Sequence, residues 1–497
     1  KFSRYQINGV EGNQGPYKLR GAENESFIIV LSGTEKIYVD GKLLTRGQNN
    51  EYIIDYNNAE ITFTSQQLIT KDKRIIVEFQ YSDRNFTRTL LHAKNDFTFK
   101  KLSLSLNLYS EQDVKEQQLQ QQLNDEQIKI LQDVGDSIHL ALSPNIDTMT
   151  YSANYVLYEK KDTTVNSITY TMYQYSTDAT KAKYRLAFSD FGQGKGNYIF
   201  ANSSVNGRTY QWVAPLNGAP QGRYEPQSLL ITPKQRQMAT LGAKYKLNSN
   251  TVFEGEFAAS NKNNNMYSAK DKGDDSGIAL QLHFENKQNK DSNSIAYKTI
   301  ADYQLVHKNF SAIERFRSTE FERDWNIAGL SSINETEHYG TLKFEMSKSS
   351  KKSINLNSSV FTKGSYYKGF KLGSELKYNN KIGTSLLADA SFLKSYGTAI
   401  NTQFIRYKGT LSQKAGLFVF GLKTEQDNNR IYDALADTIV NTSFVFQENG
   451  VFITTSETLK NSFNLSFDRR TDYGAKNNNI IKSTVADNLQ VRTAFAQ

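Results

Sequence analysis

Leu102-Ser103-Leu104-Ser105-Leu106-Asn107-Leu108 alternates apolar and polar residues without a break. Successive side chains of a strand point to opposite faces, so this stretch makes a strand with one apolar and one polar face. Ile278, Leu280, Leu282 and Phe284 alternate in the same way with Ala279, Gln281, His283 and Glu285, as Leu342, Phe344 and Met346 do with Lys343, Glu345 and Ser347. Phe370, Leu372, Leu376 and Tyr378 interleave with Lys371, Gly373, Glu375 and Lys377, and Phe463, Leu465 and Phe467 with Asn464, Ser466 and Asp468. When such strands dominate a chain of 497 residues, the expected fold is all-β: an antiparallel transmembrane β-barrel, apolar toward lipid and polar toward a lumen. From about Met238 onward strand and turn alternate steadily. Short turns such as Asn248-Ser249-Asn250 and longer ones such as residues 261–277 match the two unequal ends of outer-membrane barrels. The pattern predicts roughly fourteen to eighteen strands.

Composition bounds the alternatives. The chain has no cysteine, which excludes a disulfide framework and thiolate metal sites. Its 60 basic and 51 acidic residues give a net charge of +9, but no basic block forms, so nucleic acid is not an expected partner. The charge suits a polar lumen or lipid phosphates equally. Mean hydropathy is -0.60, and no apolar run approaches the ~18 residues of a transmembrane helix. A barrel needs none, because only alternate residues meet lipid. The 29 Tyr and 29 Phe fit interfacial belts, and equally a soluble all-β protein, where aromatics are also strand formers. Lys1-Phe2-Ser3-Arg4 is neither a Met start nor an apolar leader. An exported protein needs one, so the start is expected to be processed or truncated. The last strand, residues 489–496, lacks a terminal aromatic, and further strands are expected after it.

Residues 1–86 read as a separate, small β-sandwich-like soluble module, and residues 87–497 as the barrel. In the module, Lys36-Ile37-Tyr38-Val39 and Lys42-Leu43-Leu44 flank Asp40-Gly41, a two-residue hairpin turn. Phe27 to Leu31, Tyr52 to Tyr56, Glu60 to Thr64 and Arg74 to Tyr81 supply the other strands. Residues 111–148 are expected to interrupt the barrel with a polar Gln-rich tract and a short amphipathic helix. There Asn124 and Gln127 form a capping box ahead of Ile128, Ile130, Leu131 and Val134. Pro215, Pro220, Pro226 and Pro233 mark residues 214–237 as an ordered loop. Trp212, Tyr224 and Glu225 are its candidate partner contacts. The loop either folds into the pore or stands outside it.

Three stretches carry a resemblance. They are residues 12–64, with Gly15-Pro16-Tyr17, Leu31 to Gly41, Arg46-Gly47 and Tyr52 to Tyr56 ahead of Ile61-Thr62-Phe63; residues 194–215, with Gly194 to Tyr198, Asn206-Gly207-Arg208 and Trp212 to Pro215; and Gln221 to Pro226. Together they resemble large outer-membrane β-barrel proteins of Bacteroidota, and the first is similar to segments of SprA-type translocons of type 9 secretion. The resemblance covers about a third of the chain. It implies an outer-membrane location and a secretion role, and it brings no catalytic residue.

Local motifs add little chemistry. Gly192-Gln193-Gly194-Lys195-Gly196 lacks the Ser or Thr after Lys that a phosphate loop needs and reads as a bend. Asp271, Asp274 and Asp275 could gather oxygens around calcium, without the spacing of an EF-hand, and otherwise form a solvated loop. His92, His139, His283, His307 and His338 share no metal-ligand spacing. His283 stands on a polar strand face, where it is either a hydrolase base or a lumen hydrogen-bonder. Glu314, Arg315, Arg317, Glu320, Glu322, Arg323 and Asp324 are the densest charge cluster. They line a lumen or, the reading favoured by a strand ending near Phe310, decorate a solvated loop tip.

The sequence therefore predicts a non-enzymatic barrel of the bacterial outer membrane, a subunit or scaffold of an envelope complex for protein secretion or outer-membrane assembly and transport. Its partners would be outer-membrane lipid, lipopolysaccharide and other envelope proteins, with no cofactor and no catalytic residue. A solute channel gated by the Pro-rich loop is the alternative. A hydrolase and a soluble surface adhesin are the remaining classes.

Overall fold

The computed structural model describes the chain apart from residues 23–24, 26–27, 71–72, 83–84, 120–121, 205–206, 289–294, 331–332, 350, 456–461 and 495–497. Phe27 of a predicted strand, part of the Gln-rich tract, Asn206 and the end of the last predicted strand lie outside the described residues.

The alternating segments form one antiparallel sheet of fifteen strands. These are β1 (Phe86–Thr98), β2 (Leu102–Gln118), β3 (Gln235–Lys246), β4 (Thr251–Asn263) and β5 (Ser276–Gln288). There follow β6 (Ala296–Val306), β7 (Glu337–Ser349), β8 (Lys352–Lys363), β9 (Tyr367–Asn379) and β10 (Thr384–Gly397). The last five are β11 (Ile400–Ala415), β12 (Phe418–Asp433), β13 (Phe444–Thr455), β14 (Ser462–Lys476) and β15 (Asn479–Ala494). Each pairs with its neighbours in chain order, and β1 and β15 are the two edges among the described residues.

Register keeps the two faces separate across the whole sheet. Leu106 lies opposite Leu241, which lies opposite Phe257, which lies opposite Leu280. Farther along, Leu386, Leu411, Leu422, Val451, Phe467 and Leu489 form one cross-strand row. Most of these side chains are exposed, Leu241 at 55% and Leu489 at 68%. On the opposite face Glu254, His283, Asp302, Thr341, Ser359 and Lys371 make an equally continuous polar row.

The two rims differ. One carries tight connections at residues 99–101, 247–250, 380–383 and 416–417; the other carries residues 264–275, 307–336 and the long insert between β2 and β3. The predicted insert at 111–148 needs correction at both ends. Glu111–Gln118 continue β2, because their charges find partners across the strands: Arg88 donates to Glu111 and Asp113 at 2.8 Å each, and Asp113 accepts the Lys234 N–H at 2.9 Å. The excursion from the sheet then runs over residues 119–234. It begins with helix α1 (Asp125–Asp133), whose Asn124–Gln127 capping box is present. Two small four-stranded sheets follow, and neither joins the large one. Their hairpins, such as Tyr158–Val165 with Ile168–Tyr175, share the period of the large sheet's strands but are too short to extend along it. The predicted loop 214–237 contains the short strands Tyr224–Glu225 and Gln227–Leu229, and β3 already begins at Gln235.

Residues 1–82 form two facing sheets. In one, Arg74–Ser82 is central between Phe2–Asn8 and Lys36–Val39; in the other, Glu60–Phe63 lies between Tyr17–Lys18 and Tyr52–Asp55. Ile37, Ile61, Ile75, Val77 and Phe79 are fully buried between them. Asp40 and Gly41 turn the hairpin with φ of 51° and 82°, the left-handed pair that a two-residue loop requires.

Candidate functional site: the packed polar face

Residues 307–336, between β6 and β7, fold back onto the polar face as a strap containing a one-turn helix, α2 (Phe321–Asp324). Its aromatic side chains dock on residues that the alternation of β8 to β11 directs to this face. Phe321, Trp325 and Ile327 are buried with Phe361, Tyr367, Leu393 and Phe404. Phe321 and Phe361 meet edge to face at 5.3 Å, and Trp325 and Tyr339 at 5.9 Å. Gly369 makes room for the indole, since a Cβ there would lie 3.0 Å from the Trp325 ring. Tyr367 Oη donates to the Trp325 carbonyl, and the Asn326 and Asn429 amides donate to each other at 2.8 and 2.9 Å.

Charge fixes the strap on both sides. Toward the sheet, Asp324 meets Arg406 at 2.7 Å and Lys371 at 3.3 Å, and Glu337 takes both Arg317 and Lys363. Toward the N-terminal module, Arg315 forms a bidentate pair with Glu78, a residue only 4% exposed. Arg4 reaches Glu322 at 3.2 Å, Arg74 reaches Glu320 at 3.3 Å, and Gln80 donates to Glu314 at 2.9 Å. The Glu78 hydrogen bond raises the pKa of Arg315. Burial, with Arg406 and Arg74 nearby, lowers that of Arg323. The seven-residue charge cluster is therefore not a solvated loop tip. It is the joint between module and sheet, a role set by partners more than two hundred positions away.

A family model described as a domain of unknown function, DUF8818, matches residues 2–83. No curated protein matches the chain. The matched stretch is the module that holds Arg4, Arg74 and Glu78, so one side of the joint lies inside a recognised domain and the other side outside it.

The other candidates fall elsewhere. Trp212, Tyr224 and Glu225 are engaged within the insert: Trp212 packs on Tyr170 at 5.9 Å, Tyr224 on Tyr210 at 4.9 Å, and Glu225 accepts from the Asn197 backbone and amide at 2.7 and 2.6 Å. Burial raises the pKa of Glu225 despite these bonds. His283 Nδ1 pairs with Asp302 at 2.6 Å. That orients the imidazole as an acid–base pair would, but Ser103 and Ser359 in its row each stand three strands away, ~14 Å. His338 bonds Tyr303 at 2.8 Å, away from His283. Asp274 and Asp275 come together with Asp136, while the Asp271 carboxylate accepts the Asp136 N–H at 3.4 Å. No spacing rule pointed to Asp136 or Glu78, since each meets its partners only through the topology. Gly192 and Gly194 lie in a turn with φ of 92° and 74°.

Proposed function

We propose that this chain is a non-enzymatic component of a bacterial outer-membrane β-barrel, working as a scaffold subunit of an envelope complex in protein secretion or outer-membrane assembly. The observation that carries the reading is the pairing of the two faces. Fifteen contiguous strands expose an apolar face far larger than the few hundred Å² that soluble monomers leave uncovered, while strap and module occupy part of the polar face. Lipid is the environment that accepts the first. A lumen filled by the chain's own segments suits a scaffold better than an open pore. The likeness to SprA-type segments supports protein secretion as the pathway.

Exposed ion pairs on the polar face beyond the strap, such as Lys408 with Glu425 at 3.0 Å, favour the solute channel as the second reading. Gentle detergent extraction of the native envelope, affinity capture on this chain and mass spectrometry decide between them. Stoichiometric secretion or assembly partners are expected. A chain recovered alone, with steady conductance in planar bilayers, replaces the scaffold by the channel. Recovery without detergent overturns the membrane reading.

A further inference from the structure

We propose that Asp136, Asp274 and Asp275 bind a calcium ion that fastens the insert to the rim of the sheet. The loop at residues 264–275 closes the C-terminal end of α1. Asn265, fully buried, donates through Nδ2 to the Leu131 and Gly135 carbonyls at 2.7 and 2.8 Å, and Ser268 Oγ donates to Gln132 at 2.8 Å. These bonds satisfy carbonyls that a helix end leaves free. The chain leaves α1 through Gly135 at φ 60°, and Asp136 is thereby set beside Asp274 and Asp275. One carboxylate oxygen of each lies within 4.8 Å of the other two.

A separate observation points to a ligand. Asp275 is 6% exposed, and its Oδ1 has no hydrogen-bond partner; Asp136 Oδ1 is likewise shielded and unpartnered. Their other oxygens are held: Asp136 Oδ2 accepts from Asn264 at 3.2 Å, and Asp275 Oδ2 pairs with Lys272 at 3.6 Å. Each carboxylate is thus oriented by one oxygen and has the other free. A shielded carboxylate oxygen without a donor is costly, and a cation removes the cost. The surroundings are anionic as well. The negative end of α1, Asp133 and Asp271 face the same region, against the ammonium groups of Lys270 and Lys272.

An all-oxygen set selects a hard cation. Calcium holds its ligands at about 2.3–2.6 Å, so two ligands of one ion stand no more than about 5 Å apart, and its flexible shell accepts water in the remaining positions. Three carboxylates on surface segments suit the weak affinities of extracellular modules, about 10⁻⁴–10⁻³ M. The site does not depend on whether the sheet closes in a membrane.

The test uses the full chain in detergent, stripped with EDTA and titrated with calcium chloride by calorimetry and by thermal denaturation. Wild type is expected to take up one calcium saturably and to melt higher when loaded. Asp275→Asn and Asp136→Asn are expected to bind at least about tenfold more weakly. In EDTA they should melt no lower than wild type, because the substitution relieves repulsion. Asp274→Asn, at an exposed position, gives the same reading without touching the shielded pair. Wild type without saturable uptake, or variants that titrate like wild type, overturns the site.

Discussion

Glu78 and Arg315 stand 237 positions apart, and at the residue scale this pair is the hinge pin of the molecule. Removing one member of a shielded ion pair strands the other charge, which typically costs about 3–5 kcal/mol. Arg315→Ala should lose about 2–4 kcal/mol of docking energy, the lower end because Arg4 also lies 4.0 Å from Glu78. Faster hydrogen exchange across Arg74–Ser82 in the variant, partly restored by adding Glu78→Gln, checks this. Glu225 makes a prediction in pH. Its pKa is raised in the folded chain from 4.5, so the folded form binds the proton more tightly than the unfolded one. Stability therefore falls as pH rises from the ordinary value through the raised one, and is greatest below both. Glu225→Gln keeps an acceptor for Asn197 and should flatten that slope, as measured by thermal denaturation of the insert between pH 4 and 7. At this scale sequence reading succeeds where chemistry is local. Asn124 with Gln127 and Asp40 with Gly41 act within three positions, whereas Glu78 carries no mark of its partner.

Among the elements, the strap explains why alternation alone could not identify the packed face. Phe361, Leu393 and Phe404 occupy polar-face positions and look like lapses in the period until Trp325 and Phe321 cover them. Trp325→Ala should cost about 3–5 kcal/mol of strap packing while leaving the fifteen-stranded sheet intact. The expected signature is an unchanged far-ultraviolet spectrum with proteolysis appearing within residues 307–336. Gly369→Ala should produce a weaker form of the same defect, because its Cβ meets the Trp325 ring. The insert was the least legible element. Its hairpins repeat the two-residue period of the large sheet, and only the packing of Tyr158, Phe188, Tyr198 and Tyr210 against one another separates them from it.

For the whole molecule, the long alternating strands were legible because a face of one kind must stay that kind over many strands. How the sheet ends was not, since edges depend on what lies beside them. β1 and β15 both run from the elaborate rim to the tight-turn rim, as the first and last of fifteen antiparallel strands must. Direct pairing of the two would be parallel, and all-antiparallel closure takes an odd number of further strands, whatever their source. In a chain without native cysteine, Ala93→Cys with Val485→Cys, two positions on the apolar face at similar distances from the elaborate rim, should fail to cross-link on oxidation; an efficient disulfide would instead mean a parallel seam. The module joins β1 at the elaborate rim, and in outer-membrane barrels the short turns face the periplasm. Were the sheet to close in such a membrane, that orientation would set the module, through Ser82, on the side away from the periplasm, with β1 leading back from it.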